Sequence, residues 1–427
     1  AADAVSRGAS AILTERDLGV ALPASVAEIR VGPHGGRAAC AMASALVVGS
    51  PAASLRLVGV TGTNGKTTTV VLLNQLLTRG GFASSTIGTL SGERTTPAAP
   101  ELQRRLSEAK ARATTLGLPG AVAMEVSSHG LDQGRVLGLT FAVGVFTNLS
   151  HDHLDYHGSM EAYFEAKAKL FEEATCEVAV IWTGTEAGKA LAARRTGPLV
   201  EVSFSTISDL AIGPHGSTFT WRGRQVTLGL RGRPNVMNAL LAAEAAVAVG
   251  IDPALVASEM TVLQPVRGRM EAVAGGSSES PQVLVDYAHT PEALESALEV
   301  ARELAGEHRL VLVMGCGGDR DALKRPVMGR VASTGADLVW ITNDNPRSED
   351  PASIALAIRA GATGPAAITV ELDRAQAIAQ AIGAAGPGDV VLIAGKGHET
   401  TQVFATETVA FDDVVVARQV LQGGAAC

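Results

Sequence analysis

Between Leu55 and Leu77 the chain reads strand, glycine turn, lysine, hydroxyl, helix, and that order leaves few folds open. Leu55 to Val60 is a short apolar run with strand character. Gly62-Thr63-Asn64-Gly65-Lys66-Thr67-Thr68 follows, and Val70 to Leu77 belongs to a helix expected to end near Gly80-Gly81. Such an arrangement is a phosphate cradle. Backbone N–H groups and the positive end of the helix meet the anion, Lys66 neutralises it, and Thr67 can ligate Mg²⁺. The strict spacing asks for glycine five positions before Gly65. Val60 stands there, so the loop is a variant. A plain turn joining a core strand to a helix is the alternative. It is disfavoured because the Gly-Lys-Thr-Thr run both follows a strand and opens a helix.

A chain of 427 residues exceeds one ordinary core, so two or three domains are expected. Hydrophobic residues make up 46% and aromatics only 4%, which leaves most packing to Ala, Val and Leu. The net charge of −8 comes without a long basic run, which argues against a nucleic-acid-coating protein. Cys40, Cys176, Cys316 and Cys427 lie far apart and form no CxxC pair. That usage fits a reducing cytosol and suggests neither zinc nor disulfides. No apolar run reaches the roughly 18 residues of a membrane span. Ala38 to Val48 is the nearest and is read as a buried helix. The chain starts without Met, at Ala1-Ala2-Asp3-Ala4-Val5, as if inside a helix, and an N-terminal part is expected to precede it.

Residues 1–50 read as the tail of a small α/β unit, and Pro51 to Ser54 as a linker. From Leu55 onward short β-rich runs alternate with helical stretches. Ala121–Val126, Phe141–Phe146 and Glu177–Ile181 are expected strands of a mostly parallel sheet. Ser208 to Leu230 reads as short strands with turns, an antiparallel edge, and Asn235 to Val249 as a helix. Near Gln264-Pro265 a second α/β sheet begins, with strands at Val283–Asp286, Leu310–Met314, Leu338–Thr342 and Val390–Ala394 and a helix from Pro291 to Leu304. Ser277 to Pro281 is expected to be a surface loop.

In such sheets ligands sit at the C-terminal strand ends. Glu125, in Met124-Glu125-Val126-Ser127-Ser128-His129, occupies such an end, where a carboxylate can hold Mg²⁺ beside nucleotide phosphates. The loop from Thr147 to His157 carries His151, His153, His157, Asp152 and Asp155. It reads equally as a metal or catalytic site and as a polar loop bonded to backbone. On the helix Tyr163 to Phe171, Phe164, Lys167 and Phe171 share nearly one face, so Lys167 either snorkels or is held inside a site. In the second sheet, four strand ends carry polar or glycine-rich turns. These are Asp286-Tyr287-Ala288-His289, Gly315-Cys316-Gly317-Gly318-Asp319-Arg320, Asn343-Asp344-Asn345-Pro346-Arg347 and Gly395-Lys396-Gly397-His398-Glu399. Arg320, Arg347 and Glu399 together suit a zwitterion, since guanidinium forks take a carboxylate and a carboxylate takes an ammonium.

These stretches, with Gly268-Arg269-Met270-Glu271, resemble the Mur ligase family, the ATP-dependent amino-acid ligases of peptidoglycan synthesis, in its type that adds the third residue of the stem peptide. The resemblance runs from about Leu55 to Asp412. It implies three domains: a remnant of an N-terminal UDP-binding α/β domain at 1–50, a central P-loop ATPase-like domain at 51–265, and a C-terminal Rossmann-like amino-acid-binding domain at 266–427. It also implies a cytoplasmic enzyme, expected to be a monomer with no nucleic-acid or membrane partner. ATP would phosphorylate the D-Glu carboxylate of UDP-MurNAc-L-Ala-D-Glu, and the amine of the incoming amino acid would displace the phosphate.

The implied roles follow the matched positions. Gly62, Thr63, Asn64, Gly65, Lys66, Thr67 and Thr68 hold the phosphates. Thr67, Glu125, His153 and Lys167 surround Mg²⁺, Lys167 as a carbamate. Asn235 or Asn238 reaches adenine, and Arg269, Asp286 and His289 belong to the nucleotide site. Thr95, Thr96, Ser127, Gln133 and Arg135 match positions that hold the muramoyl peptide. The Asp-Asn-Pro-Arg pattern implies meso-diaminopimelate, with Arg320, Asp344, Asn345, Arg347, Gly395 and Glu399 at its site. A buried Arg facing lysine, which lacks the distal carboxylate, would be left unpaired. Pro234 and Thr400-Thr401-Gln402 depart from the family pattern. The competing readings are the same reaction with lysine or another diamino acid, folylpolyglutamate synthesis, and a non-catalytic P-loop module.

Overall fold

The computed structural model describes all residues except 34, 93, 214–215, 276–278 and 424–427. The loop expected at Ser277-Ser278 and the thiol of Cys427 therefore lie outside the described residues. The chain forms two compact units. The first comprises 1–149, 157–206 and 238–259, and the second 150–156, 207–237 and 260–427.

The first unit begins with a parallel pair, β1 (Ala11–Thr14) and β2 (Ala27–Arg30). The helix that follows, Gly36–Val47, was expected to be buried. It buries Ala41 alone, while Met42, Leu46 and Val47 are 61%, 72% and 85% exposed. Its apolar residues run round the cylinder, and those turned away from β1 and from the helix Ala99–Leu116 stay in water. Pro51–Ser54 is a short 3₁₀ turn with Pro51 buried rather than a free linker.

The main sheet of this unit holds β3 (Leu55–Thr61), β4 (Ala83–Ile87), β5 (Gly120–Glu125), β6 (Phe141–Phe146), β7 (Cys176–Trp182) and β8 (Leu199–Val202). All are parallel, in the order β4-β5-β3-β6-β7-β8. The central strands are apolar runs covered on both faces, as a parallel sheet requires. Leu57, Val122, Phe141, Phe146 and Ile181 fill one side, and each such side chain contributes about 1.5–3 kcal/mol by leaving water. From β3 the chain crosses to one side of the sheet, and from β5 it returns to the other. The turn after β3 therefore opens at the switch point of the sheet, where such folds bind ligands.

In the second unit β9 (Ile207–Gly213), β10 (Gly216–Trp221) and β11 (Arg224–Leu228) form an antiparallel sheet of their own. The expectation of an edge on a parallel sheet is thus corrected. Trp221, Phe219 and Leu228 alternate inward and give this small sheet a separate apolar face. The larger sheet contains β12 (Glu271–Ala272), β13 (Gln282–Asp286), β14 (Leu310–Met314), β15 (Leu338–Ile341), β16 (Ala367–Val370) and β17 (Val390–Ala394). Its order is β12-β13-β17-β14-β15-β16, parallel except for β12. The four polar turns expected to share a rim follow β13, β17, β14 and β15, which are neighbours in that order. A hairpin, β18 (Thr401–Val403) and β19 (Thr408–Ala410), completes the unit.

Candidate active site

Val60 sits in the ladder of β3, opposite Glu125 and Val145, and is fully buried. The strand thus extends one residue past the point where the standard loop has its glycine, and the turn is confined to Gly62–Gly65. Gly62 adopts φ 148°, and a Cβ there would lie 1.9 Å from Thr147 Oγ1, so no side chain fits. Two residues after β6 hold the turn. Thr147 Oγ1 donates to Asn64 O (2.6 Å), and Asn148 receives Asn64 N on Oδ1 (2.9 Å) and Thr63 N on its carbonyl (3.0 Å). Neither was expected as part of the cradle. The signal was present, since Thr147-Asn148 follows the strand next to β3.

The helix Lys66–Arg79 starts at Gly65 with Thr67 and Thr68 buried in its first turn. Lys66 folds back over the loop, and its Nζ donates to Gly62 O (2.9 Å) and Thr63 O (2.7 Å). Lys167 comes from the helix Met160–Ala168 and is 1% exposed. Its Nζ donates to the same Gly62 carbonyl (2.8 Å) and lies 4.3 Å from the Tyr163 ring centre. Lys167 therefore does not snorkel. Tyr163 OH in turn shares a hydrogen bond with Thr63 Oγ1 (3.2 Å).

Glu125 ends β5 and is 1% exposed. Thr89 donates to both carboxylate oxygens, from its N (2.8 Å) and its hydroxyl (3.3 Å). No Lys or Arg pairs with it among the described residues. A buried carboxylate held only by neutral donors fits a cation.

The residues expected to hold the peptide form one network continuous with Glu125. Thr96 Oγ1 donates to Glu125 O (2.9 Å) and receives Ser127 N (2.9 Å). Arg135 donates to Thr96 O (2.6 Å) and to Gln133 Oε1 (2.6 Å), and Thr95 and Thr89 share a hydrogen bond (3.2 Å). Asn238 is buried and receives Thr69 Oγ1 (3.3 Å), which ties its helix to the one that opens at Lys66.

The histidine-rich loop does not assemble. His157 Nε2 bonds Ser128 Oγ (3.0 Å) within the first unit. His153 lies in the segment assigned to the second unit, is 48% exposed, and meets Asp152 at 3.4 Å. Among the described residues no three His, Cys, Asp or Glu side chains are grouped to hold a metal without help. Asn235 also belongs to the second unit, and its Nδ2 donates to Arg231 O (2.9 Å).

In the second unit two separate motifs meet. Gly268, at φ 66°, is packed so closely that a Cβ would lie 2.1 Å from His398 N. Arg269 stacks on Tyr287 at 4.6 Å, and His289 and His398 flank that ring at 4.6 and 5.0 Å. Asp286 receives Met270 N and Ala288 N, both at 2.8 Å. Burial raises its pKa, and Arg269 pulls the other way. Burial, with the Arg269 guanidinium adding to it, lowers the His398 imidazole to about 4.

The rim expected to suit a zwitterion is a second network. Asn345 Nδ2 donates to Glu399 Oε2 (2.8 Å), and Asn345 Oδ1 receives Val403 N (3.0 Å). Lys396, fully buried, donates to Asn345 Oδ1 (3.1 Å), Glu399 Oε2 (3.0 Å) and Thr401 O (2.6 Å). Arg347 Nη1 donates to Gly318 O (2.7 Å), and Gly317 lies beside both Arg347 and Arg320. Gly395 lies against the buried Asp344 carboxylate. Arg374 and Asp413, both fully buried, form a two-bonded pair behind the rim, with Arg374 also holding Asn343 O and Ala394 O. Lys396, Arg374 and Asp413 were not expected as rim residues. Lys396 stands inside a quoted motif, but nothing in the sequence marks Arg374 and Asp413 as partners.

Two domain families match the chain: the Mur ligase middle domain over residues 60–246 and the Mur ligase glutamate ligase domain over residues 268–397. A relative in Xanthomonas campestris pv. campestris named UDP-N-acetylmuramoyl-L-alanyl-D-glutamate--2,6-diaminopimelate ligase is 44% identical over 443 residues, covering 99% of this chain and 88% of the relative. A solved structure of a ligase of that same name is 33% identical with a TM-score of 0.66, covering 98% of this chain and 88% of the other. Mycobacterium tuberculosis folylpolyglutamate synthase superposes with a TM-score of 0.64 at 21% identity, over 90% of this chain and 95% of the other, which shows the shared fold alone.

Proposed function

This chain belongs to the Mur ligase family, and from that premise we propose that it is the ATP-dependent ligase that joins meso-2,6-diaminopimelate to UDP-MurNAc-L-Ala-D-Glu in cytoplasmic peptidoglycan precursor synthesis. The domains we propose are 1–50 as the remnant of a UDP-binding domain, 51–265 for ATP and 266–427 for the amino acid. The two family matches, at 60–246 and 268–397, support the last boundary.

The reaction has two steps. A D-Glu carboxylate oxygen bonds to the γ-phosphorus of ATP and ADP leaves. The diaminopimelate amine then bonds to the acyl carbon, phosphate leaves with the electron pair, and the amine loses a proton. The first step brings two anions together and the second needs an uncharged amine aligned on the acyl carbon beside an anionic phosphate, so the protein must neutralise and align the groups. Lys66 and the amides of 62–65 hold the β- and γ-phosphates, and Lys66 exchanges its loop carbonyls for phosphate oxygens. Thr67, Glu125 and His153 would hold Mg²⁺. The uncompensated carboxylate of Glu125 supports that role. When bound, the ion neutralises charge on the transferring phosphoryl group. Lys167, buried at Gly62 O, would act near it as a carbamate. Thr95, Thr96, Ser127, Gln133 and Arg135 orient the peptide carboxylate. Asn235 or Asn238 serves adenine, and Arg269, Asp286 and His289 the nucleotide.

One observation carries the choice of amino acid. Arg347 and Arg320 flank Gly317 on the rim where Asn345 and Glu399 are bonded to each other, an arrangement that supports recognition of a ligand carrying a distal carboxylate and an ammonium. Arg320, Asp344, Asn345, Arg347, Gly395 and Glu399 form this site. Phosphate release should require both the UDP-dipeptide and diaminopimelate, with lysine a poor substitute. Equal release with neither substrate present would sink the ligase reading. A wild-type preference for lysine would sink the diaminopimelate assignment.

A further inference from the structure

The two rim arginines stand on different loops. Arg320 follows β14 and Arg347 follows β15. A guanidinium on a flexible stem recognises a carboxylate fork only if its own backbone is fixed. The two loops are tied to each other beside those arginines. Asp319, next to Arg320, receives Ser348 Oγ on Oδ1 (2.7 Å) and Ser348 N on Oδ2 (3.1 Å). Ser348 is next to Arg347. Glu349 Oε1 receives Asp319 N (2.5 Å) and the buried Arg325 guanidinium (2.8 Å). Gly318 N donates to Asn345 O (2.9 Å), and a Cβ on Gly318 would lie 1.9 Å from Pro346 O, so the loops touch backbone on backbone.

Asp319 and Arg347 both have φ 52°, in the left-handed region. Non-glycine residues stay there only when their surroundings hold them. The Ser348 hydroxyl and N–H also hold the Asp319 carboxyl below its ordinary pKa, so the tie is made by a carboxylate.

We infer that Asp319 and Ser348 are positioning residues for amino-acid specificity: their cross-loop tie sets the spacing of the Arg320 and Arg347 guanidinium groups, and through it the preference for a distal carboxylate over a bare side-chain ammonium. The inference rests on the function proposed above. Neither residue need touch substrate. Without the tie the arginines remain, but their fork loosens.

Ser348 is exposed, so Ser348→Ala folds without a core defect. Steady-state kinetics with diaminopimelate and lysine are measured for wild type, Ser348→Ala, Ser348→Thr and Asp319→Asn. Ser348→Ala and Asp319→Asn should raise KM for diaminopimelate about tenfold. KM for ATP and for the UDP-dipeptide, kcat, and kinetics with lysine should stay within about twofold. Ser348→Thr, which keeps the hydroxyl, should restore the wild-type KM. A wild type without preference for diaminopimelate overturns the proposed function. A wild-type preference that Ser348→Ala and Asp319→Asn leave intact overturns the inference. Parallel loss for every substrate together with a lower Tm assigns the tie to folding alone and also overturns it.

Discussion

The rim around Gly62 to Lys66 in the first unit and the rim around Asn345 and Glu399 in the second are built from different materials. In the first, Lys66 and Lys167 donate to main-chain carbonyls of the loop, and the loop is held by Thr147 and Asn148. In the second, Lys396 and Arg374 donate to the carboxylates of Glu399 and Asp413, and side chains from separate turns hold one another. A carbonyl released from a lysine can be met by another donor. A buried carboxylate stripped of its cation keeps its full desolvation penalty. Change in the first rim should therefore register as lost chemistry, and change behind the second as lost stability.

Lys66→Met is the most severe test on the chemical side. A cation on a transferring phosphoryl group is worth about 10³-fold or more in rate. ADP release should fall by that much, with little change in Tm. A loss below tenfold would place phosphoryl transfer away from this loop.

On the structural side, Arg374→Met leaves Asp413 buried without its partner. It should lower stability by roughly 3–5 kcal/mol in chemical denaturation, and adding Asp413→Leu should recover most of that. Lys167→Met makes the matching change in the first unit. Its stability cost should stay near 1–3 kcal/mol, while turnover falls about 10²-fold. If Arg374→Met costs no more than Lys167→Met, the distinction between the rims collapses.

The same contrast explains what could be read from the chain alone. A main-chain cradle needs glycines, a lysine and a hydroxyl at fixed spacing, so Gly62 to Thr68 could be read directly. Val60 looked anomalous only because spacing does not say that β3 runs one residue further. The central strands were legible because burial on both faces makes them continuous apolar runs. The unread strands of the two large sheets, β4, β8, β12 and β16, all lie at sheet edges. There one side of the strand has no neighbour and the apolar signal thins, as in Ala83-Ser84-Ser85-Thr86-Ile87. The Arg374–Asp413 pair lies 39 residues apart in sequence, and only the fold brings it together. The Gly36–Val47 helix failed in the opposite sense. Its composition is that of a core, yet Leu46 and Val47 are exposed.

Arg347→Ala tests whether the second rim also carries specificity. Removing a charged hydrogen-bonding group should lower the diaminopimelate-to-lysine ratio of kcat/KM roughly 10- to 100-fold. An unchanged ratio, measured with both amino acids in the ADP-release assay, would leave the rim as scaffold only.

The smallest expected effect concerns His398, where scaffold and site overlap. Its Nδ1 is buried with no hydrogen-bond partner among the described residues, and it packs on Tyr287 near Arg269. Its pKa is lowered from 6.5 to about 4. Between those values the unfolded chain binds a proton that the folded chain does not, so stability rises with pH across this window and levels off above 6.5. At fixed salt, acidification from pH 7 to 5 should lower the wild-type Tm. His398→Phe, which keeps the ring contact but cannot take the proton, should show a smaller drop over the same interval. An equal drop in both proteins would mean that the imidazole titrates alike folded and unfolded, and that the second rim meets acid through its carboxylates instead.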